Sequence, residues 1–268
     1  MRPKLPSPPL RDALVLGYHA ISARWPCTLA VSPQALEEQL ERVVRRGHRG
    51  VTLTELVTRR PRGPVVVVTF DDAYRSVLEL AFPILRRLGL PGTVFAPTGR
   101  MDGTPMSWPG IDGWLHTEHR AELTGCTWDE LSVLTQAGWE IGSHTRTHAR
   151  LPALGDEPLA DELLRSRQEC EQRLGAPCLT LAYPYGDSDA RVAAAARAAG
   201  YVATVGGPPS PGGPAHPLRA DIYRKDDAWR VALKTSVLHG GLTRLARVRG
   251  RPAPADAEGP TASDQRRS

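Results

Sequence analysis

The octapeptide VVVVTFDD, residues 65–72, decides the fold. Four valines, a threonine and a phenylalanine in unbroken succession are β-branched or aromatic and uncharged, which suits a strand buried on both faces in a parallel sheet. The run ends in two carboxylates, Asp71 and Asp72, at what is then the strand's C-terminal end. Working outward, short apolar runs recur at 13–17, 92–96, 139–142, 179–183 and 201–205, with helical patterns between most of them. Pro33 after Ser32 opens a helix whose apolar face is Leu36, Leu40, Val43 and Val44. A second helix is expected from about residue 73 to 88, stopped by Gly89. Thr127 with Glu130 makes a capping-box signature, and residues 158–174 and 190–199 supply two more helices. Strand and helix alternating in this way predict an α/β fold on a parallel sheet, open or closed into a barrel.

Hydrophobic residues at 41% and charged residues at 24% of 268 are ordinary globular values, which exclude wholesale disorder, a fibrous repeat and a disulfide scaffold. The net charge of +5 sits at the ends: residues 1–12 carry +2, residues 244–268 carry +3, and residues 13–243 sum to zero. A neutral body has no clustered cationic face, so no nucleic-acid partner is expected. Cys27, Cys126, Cys170 and Cys178 match no zinc or redox spacing and are expected as buried, reduced thiols. The basic start lacks the apolar stretch of a signal peptide, and no window approaches ~20 apolar residues, so the expectation is a cytoplasmic chain without a membrane span. Residues 98–125 form a long insertion carrying Trp108 and Trp114, 206–217 are rich in Pro and Gly, and 250–268 read as a disordered tail.

Four groups carry chemistry. Adjacent Asp71 and Asp72 cannot both ionise cheaply in a partly buried site without a cation, which implies a metal; the plainer reading is a strand-end turn with solvated acids. A nucleotide hydrolase would need GxxxxGK[ST], and no lysine here follows a glycine. SHTRTH, residues 143–148, follows another apolar run and places His144 and His148 four apart, the usual spacing for two ligands of one metal. Thr145 stands where HExxH has its glutamate, so a base must come from elsewhere. With the Asp pair, these histidines make a two-His, one-carboxylate site with open positions. In LAYPYG, residues 181–186, Pro184 and Gly186 fix a turn around Tyr185 that can aim a backbone N–H at a reacting oxygen. LVLGYH, residues 14–19, puts His19 at the end of the first strand. In parallel α/β folds all strand C-termini share one face, where active sites sit.

The ordered set of TFDD with Tyr74, HTRTH and YPYG, over roughly residues 13–240, resembles the polysaccharide deacetylase family, the NodB-homology domains of carbohydrate esterase family 4. Within that family it is most similar to the poly-N-acetylglucosamine deacetylase branch. The resemblance implies a distorted (β/α)7-type barrel, a single domain over 13–243 between a disordered arm (1–12) and a basic disordered tail (244–268). It implies metal-dependent removal of N-acetyl or O-acetyl groups from a sugar or glycan. By motif position Asp71 resembles the catalytic base, Asp72, His144 and His148 the ligands of a divalent metal, expected to be zinc, and Tyr185 the residue whose N–H assists as oxyanion donor. Pro184, Trp108 and Arg219 are expected on the substrate side, and Trp25, Trp108 and Trp114 either stack on sugar faces or pin their loops.

Two positions depart from the pattern. Ala73 replaces the glycine of TFDDG, and Ala182 replaces the arginine that orients the base, so Asp71 is expected to be either less tightly held or served by another arginine such as Arg219. The family's late Leu-x-His general acid is imitated by VLHGG at 237–241, yet Trp229, Leu233 and Val237 repeat every four residues, which reads as a helix with His239 near its stop. In the branch resembled, the late strand is permuted to the front, which makes His19 the acid. A deacylase of a small cytoplasmic amide metabolite and a non-catalytic glycan-binding module on the same fold are the alternatives. The complete Asp-Asp-His-His set speaks against the module.

Overall fold

The computed structural model describes residues 13–234. In chain order these form β1 (Ala13–Tyr18), β2 (Ala20–Ile21), β3 (Ala30–Val31), α1 (Pro33–Arg45), β4 (Arg49–Gly50), α2 (Leu53–Arg59), β5 (Val65–Phe70), α3 (Phe82–Arg87), β6 (Gly92–Ala96) and α4 (Trp128–Gln136). There follow β7 (Glu140–Ser143), α5 (Asp156–Leu174), β8 (Thr180–Ala182), α6 (Ala190–Ala198), β9 (Ala203–Val205), β10 (Arg219–Asp221) and α7 (Ala228–Lys234). The expected arm and tail, and His239, lie outside the described residues.

The main sheet is parallel and ordered β10-β1-β5-β6-β7-β8-β9, with β4 beside the start of β5 and β2-β3 a separate ribbon. It curls into a nearly closed barrel with helices around it, the expected (β/α)7 architecture. β10 pairs with β1 rather than β9, so the open seam lies between β9 and β10 and the chain crosses it through residues 206–218.

Strand parity sorts the side chains. Val65 and Val67 join Val15, Phe95, Ala182, Ala203 and Val205 in one cluster, while Val66, Val68, Phe70, Leu16 and Tyr18 join the helices in the other. Leu53 and Leu56 of α2 pack on the first cluster, closing the barrel's lower end. Their helix starts on a capping box, with Thr52 accepting from the Glu55 N–H and Glu55 accepting from the Thr52 N–H. A polar layer sits above it. Glu140 accepts from the Thr54 N–H (2.9 Å) and from the hydroxyls of Thr54 (2.7 Å), Thr93 (3.1 Å) and Thr180 (2.6 Å), tying α2 to three strands. Glu140→Ala leaves these donors without their acceptor, and should lower unfolding free energy by about 3 kcal/mol in urea titrations with unchanged slope. A loss below about 0.5 kcal/mol would contradict this role.

The structure moves several expected boundaries. The helix expected from about residue 73 starts at Arg75, because Asp72 (φ 69°) and Ala73 (φ 53°) are left-handed, and it passes through a π turn over Val77–Ala81 before α3. Pro83 has no N–H to donate into an α-pattern, and the Phe82 N–H reaches the Val77 carbonyl five residues back. The insertion 98–125 is ordered in three 3-10 turns, with Met101, Met106, Ile111 and Leu123 buried. All four cysteines are buried and unbridged.

Candidate active site

Parity carries three candidate residues to the barrel's upper mouth. Val15, Gly17 and His19 follow one face of β1, Val67, Thr69 and Asp71 one face of β5, and Glu140, Gly142 and His144 one face of β7. β10 adds Arg219 and Asp221, paired in register with Val15 and Gly17. A Cβ on Gly17 would come within 2.6 Å of Asp221 Oδ1 and 2.7 Å of Arg219 Nε, so glycine makes room for that ion pair.

Arg219 donates both terminal nitrogens to Asp71 at 2.7 Å each and its Nε pairs with Asp221 at 2.7 Å. Its fork is committed to carboxylates and its side chain is 5% exposed, the place of an arginine that serves the base. It supplies from β10 the arginine that Ala182 lacks. Burial would push the Asp71 carboxyl up, but the adjacent Arg219, with His144 and His19, outweighs it and holds Asp71 below the usual carboxylate range. The Asp71 charge therefore stabilises the fold above the ordinary carboxylate pKa, and that contribution is lost only as pH falls through the lowered folded value. Arg219→Gln removes the counter-charge, leaving burial dominant. The expected result is the opposite sign, urea midpoints that rise as pH falls from neutral toward the carboxylate range, and a wild-type-like pH profile would contradict it.

The second carboxylate meets the histidines. His144 Nε2 and His148 Nε2 each lie 3.3 Å from Asp72 Oδ1, and the side chains are 2%, 5% and 2% exposed for His144, His148 and Asp72. His144 Nδ1 is 2.9 Å from the Ala182 carbonyl, which can only accept, so the proton belongs on Nδ1 and the Nε2 lone pair faces Asp72. Asp72 Oδ1 is buried without a hydrogen-bond partner. A neutral His144 therefore turns a lone pair toward the Asp72 carboxylate, an arrangement that a cation among the three side chains stabilises. The ligand atoms all fall within 4.8 Å of one another, and the oxygen–nitrogen–nitrogen donor set fits a divalent metal such as zinc. Burial lowers the His148 pKa, favouring the neutral imidazole; burial also opposes charging His144, but the Asp72 and Asp71 carboxylates prevail and raise it. Burial likewise drives the Tyr74 phenol far up, reinforced by the Asp72 charge beside it.

His148 is held by rings: Trp108 stacks on it at 4.2 Å and 21°, and Tyr185 meets it edge-on at 4.7 Å. Trp108 thus gives a face to a candidate ligand. Trp25 and Trp114 are buried and pack edge-to-face on each other, with Trp25 on Tyr74, so they pin loops and offer no platform. Pro184 is buried and opens the turn in which Tyr185 adopts φ 59°, ψ 9°. His19 Nε2 lies 3.8 Å from Asp71 Oδ2, and its side chain is 16% exposed against 4% for Asp71. Five of the six non-glycine residues with positive φ among those described, Asp72, Ala73, Thr145, His148 and Tyr185, belong to these segments. Backbone in this region is unfavourable for residues with a Cβ and concentrates at functional sites. Behind the 144–148 loop, Glu162 and Ser166 of α5 are buried polar residues that the sequence reading passed over. Their signal was polar side chains at helical spacing on a face that also carries Leu159 and Leu163.

The family model described as polysaccharide deacetylase matches residues 58–204. A Bacillus subtilis (strain 168) protein named as a polysaccharide deacetylase, YxkH, is 25% identical over 192 residues, 70% of this chain and 61% of that protein. A poly-beta-1,6-N-acetyl-D-glucosamine N-deacetylase of Staphylococcus aureus (strain MSSA476) is 23% identical over 202 residues, 65% of each chain. The chain therefore spans less than two thirds of the length of these relatives. The structure of Streptococcus pyogenes deacetylase PplD in complex with acetate is similar in fold, with TM-score 0.69 and 20% identity over 84% of this chain and 98% of PplD.

Proposed function

Because the chain belongs to the polysaccharide deacetylase family, we propose that it is a metal-dependent hydrolase that removes acetyl groups, N-acetyl in particular, from a sugar or glycan. One observation carries this reading: a buried Asp72 oxygen faced by two imidazole nitrogens at 3.3 Å, next to an aspartate held ionised by an arginine. Asp72, His144 and His148 are the ligands. A divalent ion bound there, with zinc the expected one, polarises the acetyl carbonyl and lowers the pKa of water.

The chain's own residues do the rest. Asp71, ionised and aligned by Arg219, takes the proton from water as its oxygen attacks the acetyl carbon. The Tyr185 N–H is the donor to the carbonyl oxygen as negative charge develops on it; its left-handed turn against His148 supports this role. His19 gives a proton to the sugar nitrogen as the C–N bond breaks, yielding acetate and a free amine. Its exposure and its place beside Asp71 support that assignment.

His19→Ala should therefore depress turnover on an amide by about 10²–10⁴-fold and on an ester much less, because an alkoxide leaves with less protonation help than an amine. Equal losses on both substrates would remove His19 from the acid role. The reading as a whole is tested by acetate release from metal-loaded protein on acetylated sugar monomers, oligomers and lipid-linked glycan precursors. Release from at least one is expected, and silence on all by fully metal-loaded protein would overturn it.

A further inference from the structure

Thr145 and His148 hold φ of 64° each, a conformation that residues with a Cβ leave unless something holds them. Within the loop the His148 N–H donates to Thr145 Oγ1 (3.1 Å), and the Thr98 and Gly99 N–H groups donate to the Thr145 and Arg146 carbonyls (3.1 and 2.8 Å); the remaining support comes from α5. The Glu162 carboxylate accepts from the Arg146 N–H (2.8 Å), the Thr147 N–H (2.9 Å) and the Thr147 hydroxyl (2.7 Å). One helical turn on, a directed chain runs from the Thr145 N–H to Ser143 Oγ (3.0 Å), from that hydroxyl to Ser166 Oγ (2.8 Å), and from Ser166 to the Leu163 carbonyl (3.1 Å). Of the three consecutive N–H groups between His144 and His148, Glu162 thus accepts two directly, and Ser166 braces the Ser143 hydroxyl that accepts the third. Glu162 is 9% exposed and Ser166 fully buried, and the Arg146 guanidinium turns away to Glu169, so backbone N–H groups and the Thr147 hydroxyl receive the Glu162 charge.

We propose that Glu162 and Ser166 are positioning residues that set the divalent-ion affinity of the site, by holding the loop between its two histidine ligands in the left-handed turns that bring both rings to Asp72. This rests on the reading of Asp72, His144 and His148 as ligands. An accurately oriented donor set loses affinity when its supports are removed, typically about 10–100-fold per supporting residue.

The test is competition titration of Zn2+ and Co2+ against a chromogenic chelator, with the visible spectrum of the Co2+ form as a second readout. Glu162→Gln, which keeps shape but presents an NH2 where one donor sits, should weaken binding about 10–100-fold and alter the Co2+ spectrum, with the far-ultraviolet circular dichroism of the metal-free protein unchanged. Ser166→Ala should weaken it in the same direction by less. Folded Glu162→Gln with wild-type affinity and spectrum would overturn the proposal. If Glu162→Gln does not fold, Ser166→Ala and Thr147→Val decide the question, and wild-type affinity in both would overturn it. A wild-type protein that binds neither ion would instead overturn the reading of the ligands.

Discussion

Asp71→Asn is expected to bind its divalent ion as wild type does and to lose about 10²–10⁴-fold in turnover, the range typical for a missing general base. The geometry separates the two aspartates. Both oxygens of Asp71 are taken by the Arg219 fork at 2.7 Å, while Asp72 Oδ1 faces His144 and His148. Asparagine keeps the shape and can still accept from one arm of Arg219, but it cannot take a proton near neutral pH. Asp221 continues to pair with the Arg219 Nε, so the guanidinium is not left without a counter-charge. The stability cost should stay near that of one charge-assisted hydrogen bond, about 1.5–3 kcal/mol. Metal content, melting temperature and turnover measured on one preparation check all three parts. Equal loss of metal and activity would make Asp71 a ligand.

His144→Ala should have the larger effect, removing metal binding and activity together. It deletes the imidazole that the Ala182 carbonyl orients toward Asp72, and leaves a carboxylate and one histidine, too few to hold a divalent ion against water. The activity loss should exceed that of Asp71→Asn, because the Lewis acid goes with the ligand. A chelator should reproduce the phenotype in wild type, with recovery on adding metal back, and adding metal should fail to rescue the variant. Activity in His144→Ala that survives chelation would remove metal chemistry from the account.

The parts of this site that follow strand parity were legible in the sequence. His19, Asp71 and His144 each extend an apolar run in step with its inward face, so the run alone predicts which end and which side they occupy. β10 was not legible, because Arg219–Asp221 is three residues long, two of them charged, and stands directly after a Pro-rich loop. Its strand character comes from pairing with β1, and Arg219 could be picked out only as a candidate. The helix expected from about residue 73 was legible except for its start: Asp72 and Ala73 are left-handed, so the chain turns helical only from Arg75. Trp25 and Trp114 stay open in the sequence between sugar platforms and loop pins because sequence carries no burial; the structure seats both in the core, as pins. The contacts of Glu162 bridge α5 and the 144–148 loop, a juxtaposition that exists only once the chain has folded.

The most direct test of the central claim is an anomalous difference map from crystals of the metal-loaded protein. One peak per chain is expected, at about 2.0–2.2 Å from Asp72 Oδ1, His144 Nε2 and His148 Nε2, with Asp71 outside bonding distance and still gripped by Arg219. No peak at these three atoms, or one ligated by Asp71 in place of a histidine, would contradict the account.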